Sequence, residues 1–487
     1  MRNGKGDTGR MLNLFIKSVL IFLLIFTPVA FGSVELWAFS LMELGILLIL
    51  LLWSIGSILD SLNAEQKNQL SAIPRPTPSF ALIFLSIFLL LLLFQMVPLP
   101  AAIAKTLSPV HYRLLSELGV ELSGSGVLLS FVPFLTRIEF LKWLVLSGFF
   151  LFLLNWKMSG HAVLGQLIPV VMLVGIFESL YGIFEFFSGH HHILHLNMEG
   201  QLSSVTGTFI NRNYFAGYLL MVIPVGMGYF LSRASLQGNR FHGWRDRLSS
   251  LDGKSLLIGF GIILMILGLL LSASRMGIGS LLLSFSVMIL LCRGPERQKR
   301  VATPAFLFGL AILWAAWIGL DAVISRFFSI SESFGNRWEI WLNTFEIVKD
   351  FPLLGTGLGT FSRVFPMYRS FHIRGVFTHA ENDFLQLASE VGLIGLGLLL
   401  VLSIFLFYRA VVRIRSLPPM DSRRWIGVGG LVGILALLLH SLVERNIQVP
   451  ANAFLFTFLF ASILRLPTGP HDENGHRGSE EKRTARP

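Results

Sequence analysis

The stretch that decides the fold is Phe351–Gly397, FPLLGTGLGTFSRVFPMYRSFHIRGVFTHAENDFLQLASEVGLIGLG. It places a glycine-rich turn, arginines, a histidine and acidic side chains between two long apolar parts of the chain. Ionisable side chains are costly inside a membrane, and a segment that gathers them is a candidate for function. We therefore expect a large loop that carries chemistry between membrane-spanning helices.

The composition is typical of a membrane protein. Hydrophobic residues make up 53% and charged residues 14% of the chain, and the mean hydropathy is +0.69. Apolar runs of about 20 residues are long enough to cross a bilayer core about 30 Å thick. Twelve such runs predict an all-α polytopic fold: residues 11–32, 36–58, 79–97, 138–156, 162–187, 212–232, 255–273, 276–292, 302–324, 388–408, 425–443 and 449–466.

The placement of Lys and Arg predicts the orientation, because cytoplasmic loops retain these residues. With the N-terminus inside, 26 of the 39 Lys and Arg side chains are cytoplasmic, and six of the other 13 lie in residues 325–387. This predicts a large external loop, 325–387, between spans 9 and 10, with both termini in the cytoplasm. The net charge of +11 then reflects topology and attraction to anionic lipid, and it does not indicate nucleic-acid binding.

Three arginines are candidates for binding an anionic ligand. Arg212 opens the sixth span, Arg275 lies in the turn between spans 7 and 8, and Arg337 lies in the large loop. The predicted topology places all three on the external side. A guanidinium donates two hydrogen bonds in a fork that suits phosphate. Anchoring at the membrane interface is the alternative for Arg212 and Arg275.

His379 and Glu381 are candidate general bases, since an imidazole or a carboxylate can take a proton from an attacking hydroxyl. Residues two apart share a face only in an extended segment. We therefore expect residues 377–381 to be non-helical, and the next helix to begin near Asn382 or Asp383. An acidic residue there also complements the helix dipole.

Two metal sites are alternatives. Glu381 and Asp383 offer oxygen ligands that suit magnesium or manganese. Four close histidines could bind zinc, namely His190, His191, His192 and His195. No acidic residue or cysteine accompanies this cluster, although zinc sites commonly include one.

The remainder of the large loop also has order. Asn336–Asp350 has apolar residues at near-helical spacing, which predicts an amphipathic helix on the membrane surface: Trp338, Ile340, Trp341, Phe345 and Val348. Pro352 then ends the helix. The glycines that follow predict a turn in which backbone approaches a neighbour closely. These glycines are Gly355, Gly357 and Gly359. The strand and the lysine that accompany nucleotide-binding loops are missing from this part of the sequence.

Five motifs follow one another over roughly residues 200–462: TGTFINRNYFAGYLL, SASRMG, NRWEIWLNTFEIVKDFPLLGTGLGTF, HAENDFLQLASEVGLIGLG and HSLVERNIQVPANAFLF. With these motifs in this order, the chain resembles the O-antigen ligase and O-antigen (exopolysaccharide) polymerase family of polytopic bacterial membrane glycosyltransferases. Many members have a second histidine directly before the Asn of the loop motif. This chain has Glu381 there, so the base stays open between His379 and Glu381.

The resemblance implies an inverting glycosyltransferase that takes a glycan from an undecaprenyl-diphosphate carrier at the outer face of the inner membrane. The acceptor would be the hydroxyl of a glycan (polymerase) or of lipid A-core (ligase), and no cofactor or metal is implied. Membrane lipids and polysaccharide-assembly proteins are the other implied partners. Arg212 and Arg275, with Arg337 as a third, would bind the diphosphate.

We expect three regions: an N-terminal transmembrane bundle at 1–200, a ligase-like region at 201–466 that includes the loop 325–387, and a disordered cytoplasmic tail at 467–487. A transporter or flippase of lipid-linked glycan is the alternative function, since such proteins often have twelve spans. The halves show neither a shared motif nor the paired broken spans typical of transporters.

Overall fold

The computed structural model describes residues 4–65, 79–120, 126–156, 160–189, 192–197, 204–236, 252–291, 309, 330–371, 377–418 and 421–466. These residues are mostly helical, with one short hairpin of β1 (His192–Ile193) and β2 (Leu196–Asn197). The helices are α1 Gly4–Val29, α2 Leu36–Glu65, α3 Ser79–Phe94, α4 Ala101–Leu107, α5 Pro109–Glu117, α6 Pro133–Asn155, α7 Gly160–Ser188, α8 Arg212–Leu236, α9 Gly253–Leu271, α10 Arg275–Leu291, α11 Ile330–Asp350, α12 Phe361–Val364, α13 Asp383–Ser416, α14 Ser422–His440 and α15 Pro450–Leu464. Two 3₁₀ turns cover Phe31–Ser33 and Phe365–Met367.

The described helices confirm an all-α polytopic membrane protein. Eight of them are long and apolar enough to cross a membrane, and three shorter apolar helices, α3, α10 and α15, join them. Together they match eleven of the twelve predicted spans. The remaining span, 302–324, lies outside the described residues except for Gly309. Large apolar side chains such as Leu36, Leu90 and Ile404 are largely exposed, as expected for helix surfaces that face lipid.

The chain forms two compact units that interleave along the sequence. The first unit comprises residues 1–155, 321–405 and 438–454, and the second comprises 156–320, 406–437 and 455–487. The division predicted at residue 200 stays a prediction.

In the second unit, α8 is the most buried span, and it packs against α7, α9 and α10. Small residues let α14 approach it closely. A Cβ on Gly228 would lie 3.1 Å from the Cα of Gly429, and one on Gly433 would lie 3.0 Å from the Cα of Met221. Gly429 and Gly433 are four residues apart, which is the small-residue spacing that brings membrane helices together.

In the first unit, α1 packs against α2, and α6 packs against α2 and α3. A buried apolar cluster then joins α3 to the glycine-rich turn and to α13 through Phe88, Leu92, Leu354, Leu387 and Val391. These contacts attach the large loop to the membrane helices.

The helix predicted at Asn336–Asp350 is present and begins earlier, at Ile330. The predicted apolar residues divide between two sides of the helix, since Trp338 and Phe345 are 54% and 49% exposed whereas Ile340 is buried. The side that packs against the protein includes Ile340, Thr344 and Ile347, which are buried. The position of the helix on the membrane surface stays a prediction. The helix is apolar on two sides, and spacing alone does not tell which of them meets the protein.

Candidate active site

A polar cavity of about 120 Å³ lies in the first unit. Its wall comes from three segments that are far apart in sequence: α6, residues 358–390 and residues 445–448. The indole of Trp143 forms an apolar part of the wall. The polar and ionisable residues used below are Glu139, His379, Gln386, Glu390, Arg445 and Gln448.

The segment that carries His379 is fixed by hydrogen bonds to both backbone polar groups of Ala380. The Ala380 N–H donates to Oε1 of Gln386 at 3.1 Å, and the indole N–H of Trp341 donates to the Ala380 carbonyl at 3.0 Å. Ala380 itself is fully buried. Helices α11 and α13 thus hold His379 in place against the cavity.

His379 has the properties of a neutral base. Burial, followed by the positive charges of Arg445 and Lys142, lowers the pKa of His379 from 6.5 to about 3. The imidazole hydrogen-bonds to Gln386, while its buried Nδ1 has no hydrogen-bond partner among the described residues. The ring is therefore uncharged at physiological pH, with a nitrogen lone pair available to accept a proton.

Glu381 differs from the expectation. Its φ of 51° is left-handed, so the segment is non-helical, as predicted, but not extended through Glu381. Residues 379 and 381 consequently do not share a face, and Glu381 is absent from the cavity lining. Only a few per cent of non-glycine residues adopt this conformation. A glutamate at this position in the sequence therefore gave no reason to predict it.

The carboxyl of Glu381 belongs to a buried ionic network. It hydrogen-bonds to the side chain of Glu444 and accepts from the Arg445 N–H. Arg337 forms an ion pair with Glu444 at 2.5 Å. Burial raises the pKa of Glu381, against the opposing effect of Arg337 and Arg445. These contacts hold the Glu381 carboxyl in the ionic network, and Glu381 does not line the cavity.

Asp383 connects the loop to the residues before α15. Its Oδ2 accepts hydrogen bonds from the Asn446 and Ile447 N–H groups, both at 2.8 Å. The helix α13 begins at Asp383 as predicted, and the Asn382 side chain caps it by accepting from the Leu385 N–H at 3.0 Å. Asp383 thereby positions the segment that brings Arg445 and Gln448 to the cavity.

The glycine-rich turn forms the cavity floor with Glu390. Oε1 of Glu390 accepts from the Phe361 N–H at 3.1 Å and from Nε2 of Gln386 at 3.2 Å. Gly359 has a φ of 80°, and a Cβ there would lie 2.7 Å from Cγ of Glu139. The predicted close approach of backbone at this turn is confirmed.

Buried Gln95, the first residue after α3, binds the same turn. Its Nε2 donates to the carbonyls of Leu354 at 2.6 Å and Glu390 at 2.9 Å, and its Oε1 accepts from the Leu358 N–H at 3.2 Å. These three side-chain hydrogen bonds thus fix backbone around the cavity.

Several cavity residues were not predicted from the sequence, namely Glu139, Gln386, Glu390, Arg445 and Gln448. The sequence did offer a reason to select Glu139 and its ion-pair partner Lys142. Both lie inside a predicted apolar span, where ionisable residues are candidates for function. Arg445 and Gln448 lie in the quoted HSLVERNIQVPANAFLF motif, but their spacing alone does not connect them to His379.

Arg212 and Arg275 are the first residues of α8 and α10 in the second unit. The turn before Arg212 is held by Glu178, a fully buried carboxylate of α7. Glu178 accepts from the Thr208 N–H at 2.7 Å and from the Thr208 hydroxyl at 2.8 Å. The predicted role of both arginines as diphosphate ligands stays a prediction.

Within the described ranges, no group of three His, Cys, Asp or Glu side chains is placed to hold a metal ion. Of the histidine cluster, His190 and His191 lie outside the described residues. Oδ2 of Asp383, one of the alternative cation ligands, is occupied by two backbone N–H groups.

Comparison with known proteins supports the resemblance. Residues 260–400 match the sequence model of the O-antigen ligase family. The Exopolysaccharide production protein ExoQ of Rhizobium meliloti (strain 1021) is 28% identical over 180 residues, which cover 34% of this chain and 39% of that protein. The similarity to the O-antigen ligase and polymerase family is thus confirmed. The family match includes Arg275, Arg337, His379 and Glu390, whereas Glu139 and residues 445–448 lie outside it.

Proposed function

We propose that this chain, whose residues 260–400 match the O-antigen ligase family, is a membrane glycosyltransferase that transfers a glycan from an undecaprenyl-diphosphate carrier to an acceptor hydroxyl. The observation that most supports this function is His379. It lines a polar cavity, lies within the matched region, and carries a buried Nδ1 without a hydrogen-bond partner among the described residues. Such an imidazole is suited to deprotonate a hydroxyl.

In the proposed reaction, the acceptor oxygen attacks the anomeric carbon of the donor sugar while its proton passes to Nδ1 of His379. The bond between the anomeric carbon and the diphosphate oxygen breaks, and the diphosphate leaves with the electron pair. Attack opposite the leaving group inverts the anomeric configuration. The negative charge of a diphosphate near His379 would raise the pKa of the imidazole and strengthen it as a base.

The charge that develops on the leaving diphosphate requires fixed cations. We assign this role to Arg212 and Arg275, with no metal ion. Arg337 is a weaker candidate than the sequence suggested, because its guanidinium is paired with Glu444.

We place the reaction at the outer face of the bacterial inner membrane, with both termini in the cytoplasm. The Lys and Arg distribution supports this orientation. The cavity residues support it too, since Glu139, His379 and Arg445 all lie in or next to segments predicted to be external. The acceptor is a glycan if the enzyme is a polymerase, and lipid A-core if it is a ligase.

The central experiment uses the purified protein in lipid nanodiscs with the lipid-linked glycan of its host. His379→Ala should lower turnover by at least about 100-fold, the usual contribution of a general base, with little change in donor binding. The matched control is His195→Ala, because His195 is exposed and is not part of the cavity lining. Near-normal turnover of His379→Ala would refute the assignment of the base.

The same assay tests the arginines. Arg212→Ala and Arg275→Ala should each abolish transfer, and lysine at either position should restore only part, because an ammonium lacks the guanidinium fork. Transfer should continue in EDTA. Loss of transfer in EDTA that magnesium restores would favour a cation at Glu381 and Asp383 instead.

Glycan analysis of a deletion strain separates the two acceptor types. Loss of polymer length with attachment retained identifies a polymerase, whereas loss of attachment to lipid A-core identifies a ligase. Flipping of lipid-linked glycan without any transfer in nanodiscs would instead establish the transporter alternative.

A further inference from the structure

Two neutral side chains of the cavity lining each have a buried polar atom without a hydrogen-bond partner among the described residues: His379 at Nδ1 and Gln448 at Nε2. One is an acceptor and the other a donor. Buried polar groups are nearly always hydrogen-bonded in native proteins. The pair therefore suits a ligand group that both donates and accepts, which is the property of a hydroxyl.

The rest of the wall fits the same chemistry. Gln386 already donates to Oε1 of Gln448 at 3.2 Å, so the orientation of the Gln448 amide is set. Glu139 and Glu390 add carboxylate acceptors, and Trp143 adds an aromatic wall that is itself packed against Phe88, with ring centroids 4.9 Å apart. Dense hydrogen-bonding groups beside an aromatic surface suit a pyranose, whose hydroxyls are polar and whose C–H face is apolar.

The charges argue against a diphosphate in this cavity. Among the described residues, the lining contains one arginine and two glutamates. Binding of a diphosphate calls for several fixed cations, and carboxylates beside it would repel it. The described lining, with one arginine and mixed donors and acceptors, is instead suited to an uncharged polyhydroxyl group.

We propose that this cavity binds one sugar residue of the acceptor, with its attacking hydroxyl at Nδ1 of His379 and further hydroxyls on Gln448 and Glu139. This proposal rests on the proposed function, and it assigns the acceptor to the first unit. Glu139, Trp143 and Gln448 lie outside the region matched by the family, residues 260–400. These three residues thus select the acceptor sugar, while His379 performs the proton transfer.

Direct binding is the first test, and it does not depend on turnover. Saturation-transfer NMR would use the full-length protein in nanodiscs with methyl glycosides of glucose, galactose, mannose, rhamnose and N-acetylglucosamine as probes. At least one glycoside should receive saturation, and Gln448→Ala and Trp143→Ala should each remove it. Trp37→Ala, at a 54% exposed tryptophan, is the matched control and should bind as the wild type does.

Steady-state kinetics are the second test. Gln448→Ala and Glu139→Gln should each raise KM for the acceptor roughly tenfold, as expected for the loss of one hydrogen bond to a ligand. The KM for the lipid-linked donor should stay unchanged. Glu346→Gln, at an exposed glutamate paired with Lys349, is the control. Melting curves confirm that each variant is folded.

Three outcomes would overturn the proposal. They are the absence of saturation transfer to every glycoside, binding that is unaffected in both cavity variants, and a rise in donor KM instead of acceptor KM. The last result would assign the cavity to the donor. Glycoside binding by a protein that shows no transfer would leave the sugar site standing and would refute the proposed function alone.

Discussion

His379 and Glu381 are two residues apart, yet their surroundings give them different chemistry. His379 is kept neutral by burial and by nearby cations, whereas Glu381 joins Glu444 and Arg337 in an ionic network. The left-handed backbone at Glu381 directs its side chain into that network. This geometry favours His379 as the base, where the sequence left both residues open.

Glu381→Gln should therefore keep most of the wild-type turnover. A glutamine amide has nearly the shape of the Glu381 carboxyl, and it can hydrogen-bond to the Glu444 side chain and accept from the Arg445 N–H. Glu381→Ala should be clearly less stable, because it removes both of these buried hydrogen bonds, and a buried polar group left without its partner costs about 1–3 kcal/mol. Turnover and melting temperature in nanodiscs measure both effects. An inactive but stable Glu381→Gln protein would transfer the role of base to the carboxylate.

The pH dependence of turnover should follow the lowered pKa of His379. The profile of kcat/KM reports the free enzyme, so it should stay flat from pH 7.5 through 6.5 to about 5. The acid limb of kcat should lie at higher pH than that of kcat/KM, because the bound diphosphate raises the pKa of His379. An acid limb of kcat/KM near pH 6.5 would contradict the described environment.

The same histidine affects the stability of the protein below pH 6.5. A folded-state pKa of about 3, below the unfolded value near 6.5, means that the unfolded chain binds the proton first. Its effect on stability is thus absent above pH 6.5, and folding weakens as the pH falls from 6.5 towards 3. His379→Ala should reduce this loss of melting temperature on acidification.

At the scale of elements, the junction between α13 and the glycine-rich turn fixes the backbone that surrounds the cavity. α13 is interrupted at Gly392, which has a φ of 68° and a ψ of 179°. The carbonyls of Ser389 and Glu390 accept from the N–H groups of Thr356 and Gly357 at 3.0 and 2.9 Å. A helix break inside a membrane protein needs such partners, because lipid offers none.

Gly392→Ala should destabilise the protein, since φ is left-handed and a Cβ there would lie 2.5 Å from the Leu354 N atom. Backbone strain of this kind costs about 1–3 kcal/mol, and the steric contact adds to it. Gly397→Ala is the matched control, because a Cβ there meets nothing within 4 Å. A lower melting temperature is expected for Gly392→Ala only. Equal melting temperatures would show that the break tolerates a side chain.

The elements also show the limits of sequence patterns. The start of α13 at Asp383 was predictable, because capping is a local signal. The packed face of α11 was not, because Trp338 and Ile340 are equally apolar in sequence, and only the position of Phe361 and Phe365 selects Ile340 for burial.

At the scale of the whole molecule, the predicted orientation is open to a direct test. In a Cys292→Ala background, a cysteine at exposed Ser370 should react with a membrane-impermeant thiol reagent in cells with a permeable outer layer. A cysteine at Ser249, in a segment predicted to be cytoplasmic, should react only after lysis. Labelling of position 249 and protection of position 370 would invert the topology and remove the proposed external site.

Local features of the sequence predicted the membrane class of the protein, the positions of most spans, the start of α13 and the resemblance to the O-antigen ligase family. Each of these follows from local features: apolar runs, capping residues, glycines and contiguous motifs. Which polar groups meet depends on contacts between segments that are distant in sequence. Glu139, His379 and Gln448 come together across more than 300 residues of chain. The pKa of His379 depends on burial and on Arg445 and Lys142, which are distant in sequence, and for that reason the sequence left the base and the cavity undetermined.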